Sequence, residues 1–538
     1  MGLYLNSSRA YDLYRNVANS DYFVDKTNML GEIIPLMNTS TNCICITRPR
    51  RFGKTVMANM IAAFLGKGSD SRDVFGKLNV SKTDFYSENI NKHNVISITF
   101  NEIPKNCNSY SEYINRIEQK LIKDLVKDYP DCDIDTNNSI WDILSEIYAY
   151  CDSVKFVFVL DEWDYIFHRD FVTENDKKSY ISFLSNLLKD KPYVEFAYMT
   201  GILPIAKYSS GSELNMFFEY TMTTQVRFSD YFGFTESEVD VLYARYLENV
   251  KTPSVTREGL KLWYNGYHTH SGERVYNPRS VIAALNNNQL GSYWTSSGPY
   301  DEIFYYIKRN VADVRSDLAL MIAGESVPAK IQEYAATSQN LNTKDEIFSA
   351  MVVYGFLSYE NGRVFIPNKE LMDKFADMLV KEKSLGYIYN LAKASDRMLA
   401  ATCAGDIDTM AEILEYAHDT EVPLISYNSE TELSAIVNLV YLSARDYYDI
   451  RCEDKAGKGY VDFIFYPKTD KSADCIILEL KINHTAAEAV QQIKDRNYAL
   501  RFKGRLGEEP QYTGRILAVG IGYYKAEKKH ECVVETIG

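Results

Sequence analysis

Residues Cys43–Leu65 read CICITRPRRFGKTVMANMIAAFL. The short apolar run Cys43–Thr47 has the pattern of a buried strand. From Thr55 onward, Val56, Met60, Ala63 and Phe64 recur on one face of a helix. Between them lies Arg48-Pro-Arg-Arg-Phe-Gly-Lys-Thr. A helix that opens directly after a strand presents unbonded N–H groups and the positive end of its dipole, which suits a phosphate. In such a cradle Gly53 makes the turn, Lys54 is a mobile cation for the terminal phosphates, and Thr55 offers a hydroxyl to magnesium. One position departs from the pattern. G-x-x-x-x-G-K-[ST] places glycine where this chain has Arg48.

A second stretch supplies what a bare GKT lacks. Lys155–Asp164 reads KFVFVLDEWD. The unbroken apolar run Phe156–Leu160 suits a central parallel strand covered on both faces. It ends in Asp161-Glu162, at the carboxyl end where open α/β sheets bind ligands. There Asp161 serves magnesium and Glu162 orients an attacking water. A strand with a solvated acidic turn is the plain alternative; the GKT upstream weighs against it. Val194–Thr200 reads as a further strand. Thr200 at its tip either senses a terminal phosphate or caps the next segment. Arg51 adds charge to the loop.

The chain has 538 residues, 46% hydrophobic and 25% charged, with net charge −14. These values fit an ordinary globular protein of several domains and argue against one coated in nucleic acid. Nine cysteines, with no C-x-x-C, suggest neither a disulfide framework nor a zinc site, hence a reducing, cytoplasmic setting. No apolar run is long enough to span a membrane. The 42 tyrosines have no functional account. Residues 1–42 read as polar, with one helix near Thr27–Met37. Ala206–Tyr220 reads as loop and helix. Phe232-Gly-Phe-Thr-Glu-Ser-Glu opens a helix with a capping box, Thr235 to Glu238. After about Pro253 the α/β alternation stops. The helix at Asp345–Gly355 leads to two short strands around Asn361-Gly362, a two-residue hairpin signal of the kind that closes a winged helix.

The last 120 or so residues turn α/β again. In Cys475–Ile482, CIILELKI, period-two alternation puts Glu479 and Lys481 on one face. Both are costly on an apolar strand unless used or paired. The preceding strand carries Asp462. If these strands are neighbours, two carboxylates converge to hold magnesium over a phosphodiester, with Lys481 beside the attacking water. Glu430 offers a third carboxylate. Gln492, Lys494 and Arg496, with Arg501, Lys503 and Arg505, give a basic stretch for a nucleic-acid backbone. The plain alternative is a structural Glu–Lys pair and a solvated helix.

The succession YFVDKT, RPRRFGKT, VLDEWD, TGIL, FGFTESEV and WYNGYH resembles the bacterial AAA-ATPase-like family. Tyr427-Asn-Ser-Glu, Gly459-Tyr-Val-Asp462, Glu479-Leu-Lys481 and Gln492-x5-Tyr498 resemble the PD-(D/E)XK nuclease domain found fused to it. The resemblance covers most of residues 15–270 and 425–525. It implies that Lys54, Thr55 and Asp161 bind ATP and magnesium, with Glu162 as the hydrolytic residue. It implies Glu430, Asp462, Glu479 and Lys481 as the nuclease set, with Gln492 and Tyr498 beside them. Arg48 is usual in that family's loop. Val461 departs, standing where the named motif has proline. The expected architecture is α/β throughout: a P-loop ATPase with a parallel sheet over 1–252, a helical and winged-helix-like region over 253–420, and a restriction-endonuclease-like domain over 421–538. The expected partner is nucleic acid, DNA before RNA. Homo-oligomer formation is left open. The rival reading is a nucleotide-switched module that binds nucleic acid or protein without cleaving.

Overall fold

A computed structural model describes residues 2–205, 213–222, 225–270, 272–294, 311–322, 324–331, 341, 343–381, 387–416, 430–456, 459–502 and 512–537. The chain divides into two compact units: residues 1–299, 330–362 and 367–370, and residues 300–329, 363–366 and 371–538.

The first unit is built on a parallel sheet of β1 (Cys43–Thr47), β2 (Asn94–Thr99), β3 (Phe156–Asp161), β4 (Val194–Gly201) and β5 (Phe218–Tyr220), in the order β2-β3-β4-β1-β5. Alternation along the strands divides the core in two. Cys43, Cys45, Phe158, Leu160 and Met199 face a layer containing α3 (Tyr110–Asp128), α4 (Ile140–Tyr150) and α5 (Glu174–Leu188). Ile44, Ile46, Val157, Val159 and Tyr198 face α2 (Lys54–Leu65). Helix α1 (Arg9–Ala18) packs on α2. A further helical layer, α6 (Glu236–Asn249), α7 (Arg257–Tyr264) and α8 (Pro278–Asn287), has its own core around Leu242, Tyr246, Leu260 and Val281. The expected capping box opens α6: the Glu238 N–H donates to the Thr235 hydroxyl (3.3 Å) and the Thr235 N–H to Glu238 (2.9 Å).

The second unit holds α9 (Glu430–Val440) and a five-stranded sheet of β6 (Tyr448–Ala456), β7 (Gly459–Pro467), β8 (Cys475–Ile482), β9 (Ile516–Tyr524) and β10 (Lys529–Thr536), in sequence order. Only β8–β9 is parallel. Helix α10 (Ala486–Asp495) packs on β8 and β9. It can do so because β9 carries glycine beneath it. A Cβ on Gly520 would lie 2.1 Å from the Ala486 carbonyl oxygen.

Several expectations change. Arg9–Ala18 is a helix, not irregular chain; it buries only Ala10 and Tyr14, too thin a stripe to read. The helix near Thr27 is brief, Met29–Ile33 followed by a 3-10 turn that contains Pro35. Phe218–Tyr220 is an edge strand rather than helix, and Lys529–Thr536 adds a strand at the end of the second sheet. Cys132 and Cys151 form a disulfide, contrary to the reduced reading. They follow α3 and α4, whose ends the fold brings together. The strands at Ser358–Glu360 and Arg363–Phe365 flank Asn361 and Gly362, whose φ values of 50° and 80° suit a type I′ turn. Among the described residues no helix is long and apolar enough to cross a membrane.

Candidate functional site

Two constellations stand out, one in each unit. The first lies at the carboxyl ends of β1, β4 and β3. Register sets it: Asp161 pairs with Thr200, and Thr200 with Ile46, so the loop after β1 and the tip of β3 flank β4. Gly53 begins α2 with φ of 91°. A Cβ there meets nothing within 4 Å, so glycine is required by the backbone angle alone.

Lys54 is buried, and its ammonium donates to the carbonyls of Arg48 and Pro49, both at 2.8 Å. Burial lowers its pKa to about 8, against the pull of Asp164, Asp161 and Glu162. Asp161 is 3% exposed, and neither carboxylate oxygen completes a hydrogen bond. Burial pushes its pKa up to about 6, although the Thr55 hydroxyl lies near enough to favour the charged form. An orphaned carboxylate facing a hydroxyl at a helix N-terminus fits a divalent cation. Glu162 follows at φ 55°, a left-handed angle that costs a non-glycine residue about 1 kcal/mol. Such local strain is concentrated at functional sites. Thr200 is buried and donates to the Ile46 carbonyl (3.0 Å).

Two of the loop arginines are turned to protein carbonyls. Arg48 is buried, stacked on Phe232, and donates to the carbonyls of Thr47 (2.8 Å), Tyr220 (2.9 Å) and Phe228 (3.4 Å). It braces the loop from behind. Arg51, at φ 68°, donates to the carbonyls of Tyr293 and Trp294. Asp164, in the quoted motif but given no role, accepts the N–H groups of Ile202 (2.9 Å) and Leu203 (2.7 Å) and ties down the turn after β4. The sequence shows only a third acid, three residues past Asp161; its burial comes from the fold.

The second constellation lies on the α10 face of the second sheet. The β7–β8 register pairs Phe463 with Leu478; one step further sets Asp462 opposite Glu479. Asp462 accepts the Leu480 N–H (2.7 Å). Glu479 is 3% exposed. One of its oxygens accepts from Gln492 and lies 3.4 Å from the Lys481 ammonium, and the other has no partner. Burial, then the charge of Asp462, raises its pKa to about 7, while Lys481 opposes the rise. This orphaned oxygen also fits a cation.

Helix geometry divides the basic stretch. Gln492 and Arg496 are four residues apart and share a side; Lys494 is turned away. Arg496 donates to the Tyr498 hydroxyl (3.1 Å), and both feel the charges of Glu479 and Asp462. Lys494 instead pairs with Glu535 on β10 at 2.5 Å. Glu430 is the first residue of α9, which packs on β8; its side chain is outside the described residues, as are Tyr427–Ser429, Lys503 and Arg505. Among the described residues no three His, Cys, Asp or Glu side chains converge as a metal cluster.

Residues 12–210 match a family model described as a predicted AAA-ATPase. Residues 428–514 match that of the PD-(D/E)XK nuclease superfamily. A curated relative, an uncharacterized protein in the vnfD 5′ region of Azotobacter chroococcum mcd 1, is 22% identical over 502 residues and spans 90% of each chain. Among solved structures, a Walker-type ATPase of Pyrococcus abyssi aligns with a TM-score of 0.36 at 12% identity, over 65% of this chain and 94% of that one. The Aeropyrum pernix ORC2 protein, in ADPNP–ADP complexes, aligns with 0.31 at 11%, over 70% and 98%.

Proposed function

We propose that this chain, which carries an AAA-ATPase-like domain followed by a PD-(D/E)XK nuclease superfamily domain, is an ATPase that regulates a metal-dependent nuclease. The observation that carries the reading is Glu479, a buried carboxyl with an orphaned oxygen, set beside Asp462 and Lys481. Ionisable groups perturbed in this way are concentrated at functional sites. Asp462 and Glu479, joined by Glu430, would hold magnesium. The ion supplies charge neutralisation at a phosphodiester and acidifies bound water. Lys481 orients that water, and Gln492 fixes the Glu479 carboxyl. Arg496 and Tyr498 face the nucleic-acid backbone; Lys494 joins them only if its ion pair with Glu535 opens.

In the first unit Gly53, Lys54, Thr55 and Asp161 would hold ATP and magnesium. Glu162 orients the attacking water, Thr200 stands at the terminal phosphate, and Arg51 shapes the loop. DNA is the preferred substrate, the cytoplasm the preferred setting, and assembly of several copies is compatible with the reading. Purified protein given magnesium or manganese should cleave plasmid or RNA, and Glu479→Ala should not. Equal cleavage by both, or none by either under any nucleotide condition, removes the nuclease reading.

The net charge of −14 favours a second reading, a nucleotide-switched binding module. Salt-dependent DNA binding that survives Asp462→Ala, with no cleavage, would select it.

A further inference from the structure

Trp294 lies 244 residues past Arg50, yet it meets the phosphate loop within the first unit. Its indole N–H donates to the Arg50 carbonyl at 3.1 Å. Arg51 returns the contact, its guanidinium donating to the Tyr293 and Trp294 carbonyls. The Trp294 backbone N–H donates to one oxygen of Glu370, and the Ser280 hydroxyl donates to the other (2.8 Å). Glu370 is 2% exposed and Trp294 6%. The indole also packs edge-on against Phe356, with centroids 5.3 Å apart. A buried carboxyl thus fixes the tryptophan, and the tryptophan holds the loop.

Peptide geometry gives this contact a consequence. Every peptide of the loop is trans, so the carbonyl of one residue and the N–H of the next point in opposite directions. Lys54 draws the Arg48 and Pro49 carbonyls to one side. Trp294 draws the Arg50 carbonyl, and the Gly233 N–H approaches the Phe52 carbonyl at 3.4 Å. In each of these peptides the following N–H, of Arg50, Arg51 and Gly53 respectively, points away from the carbonyl so held. Backbone N–H groups just ahead of a helix N-terminus are what an anion cradle uses, and fixing the carbonyl of a peptide fixes its N–H.

We infer that Trp294, held by Glu370, is a positioning residue for nucleotide binding: by anchoring the Arg50 carbonyl it sets the direction of the Arg51 N–H toward the phosphates. This rests on the reading of the loop as an ATP site. Trp294→Phe keeps an aromatic ring beside Phe356 and removes the indole donor together with part of the buried ring, whereas Glu370→Gln leaves the indole intact.

The experiment titrates ATP into the full-length protein by calorimetry, for wild type, Trp294→Phe, Glu370→Gln and Lys54→Ala, with steady-state hydrolysis alongside. Loss of one well-placed hydrogen bond should weaken ATP affinity about tenfold in Trp294→Phe. KM should rise while kcat stays within about twofold, the mark of lost uniform binding rather than lost chemistry. Glu370→Gln should weaken binding by a smaller factor, about threefold, because the amide keeps one acceptor. Lys54→Ala should not bind. Wild-type affinity in Trp294→Phe overturns the inference. If that variant does not fold, wild-type affinity in Glu370→Gln overturns it equally. Absence of ATP binding by the wild type removes the ATP-site reading, and the inference falls with it.

Discussion

Replacing Glu479 by Gln should abolish cleavage and yet make the second unit more stable at neutral pH. The sign follows from where the proton sits. In the folded chain burial raises the Glu479 pKa from the ordinary 4.5 to about 7. Below pH 4.5 the carboxyl is protonated in both states, so it contributes no pH dependence. Between 4.5 and 7 the unfolded chain releases the proton while the folded chain keeps it, so stability falls as pH rises. The slope is about 1.4 kcal/mol per pH unit, giving up to about 3 kcal/mol across the window, with no further change above pH 7. Gln has no proton to lose. Its advantage over the wild type should therefore grow from near zero at pH 4.5 to as much as about 3 kcal/mol at pH 7. Magnesium should narrow that advantage, because the wild type offers the ion one more carboxylate than Glu479→Gln and is stabilised more by it. Urea denaturation at pH 5, 6, 7 and 8, with and without magnesium, measures this. Parallel curves for the two proteins at all four pH values would refute both the burial argument and the cation site.

Gly53→Ala should cost about 1 kcal/mol of stability through its backbone angle alone, since no atom obstructs the added methyl; an unchanged urea midpoint would mean that the loop adopts another conformation. Glu162→Gln should retain ATP binding and lose turnover by at least about a hundredfold, as removal of a general base does, measured by phosphate release. Arg496→Ala should weaken binding to DNA and lower the salt slope by about 1, whereas Lys494→Ala should leave both nearly unchanged because its partner is Glu535. Fluorescence anisotropy across a salt series separates the two.

What was legible in the sequence is what local pattern controls. The run Cys43–Thr47, the glycine before Lys54 and the carboxylate tip at Asp161-Glu162 each declare strand, turn and crevice, and the parallel sheet follows from them. Period two placed Glu479 and Lys481 on one face, and the antiparallel register brings Asp462 opposite. What was not legible depends on contacts between distant segments. Nothing near Arg48 shows that its guanidinium is spent on the carbonyls of Tyr220 and Phe228. Nothing near Trp294 points to Arg50, and nothing near Cys132 to Cys151. Lys494 is an intermediate case: a helical wheel separates it from Gln492 and Arg496, while a count of basic residues groups all three. Helix α1 escaped because its buried stripe is two residues wide.

On the proposed function, nucleotide in the first unit controls cleavage in the second. The direct measurement is plasmid cleavage in magnesium by wild type, Lys54→Ala and Glu479→Ala, each without nucleotide, with ATP and with ADP. ATP should change the wild-type rate severalfold, Lys54→Ala should cleave at a rate indifferent to nucleotide, and Glu479→Ala should not cleave. A nucleotide response that survives Lys54→Ala, or a wild-type rate that is the same in all three conditions, would contradict the proposed function.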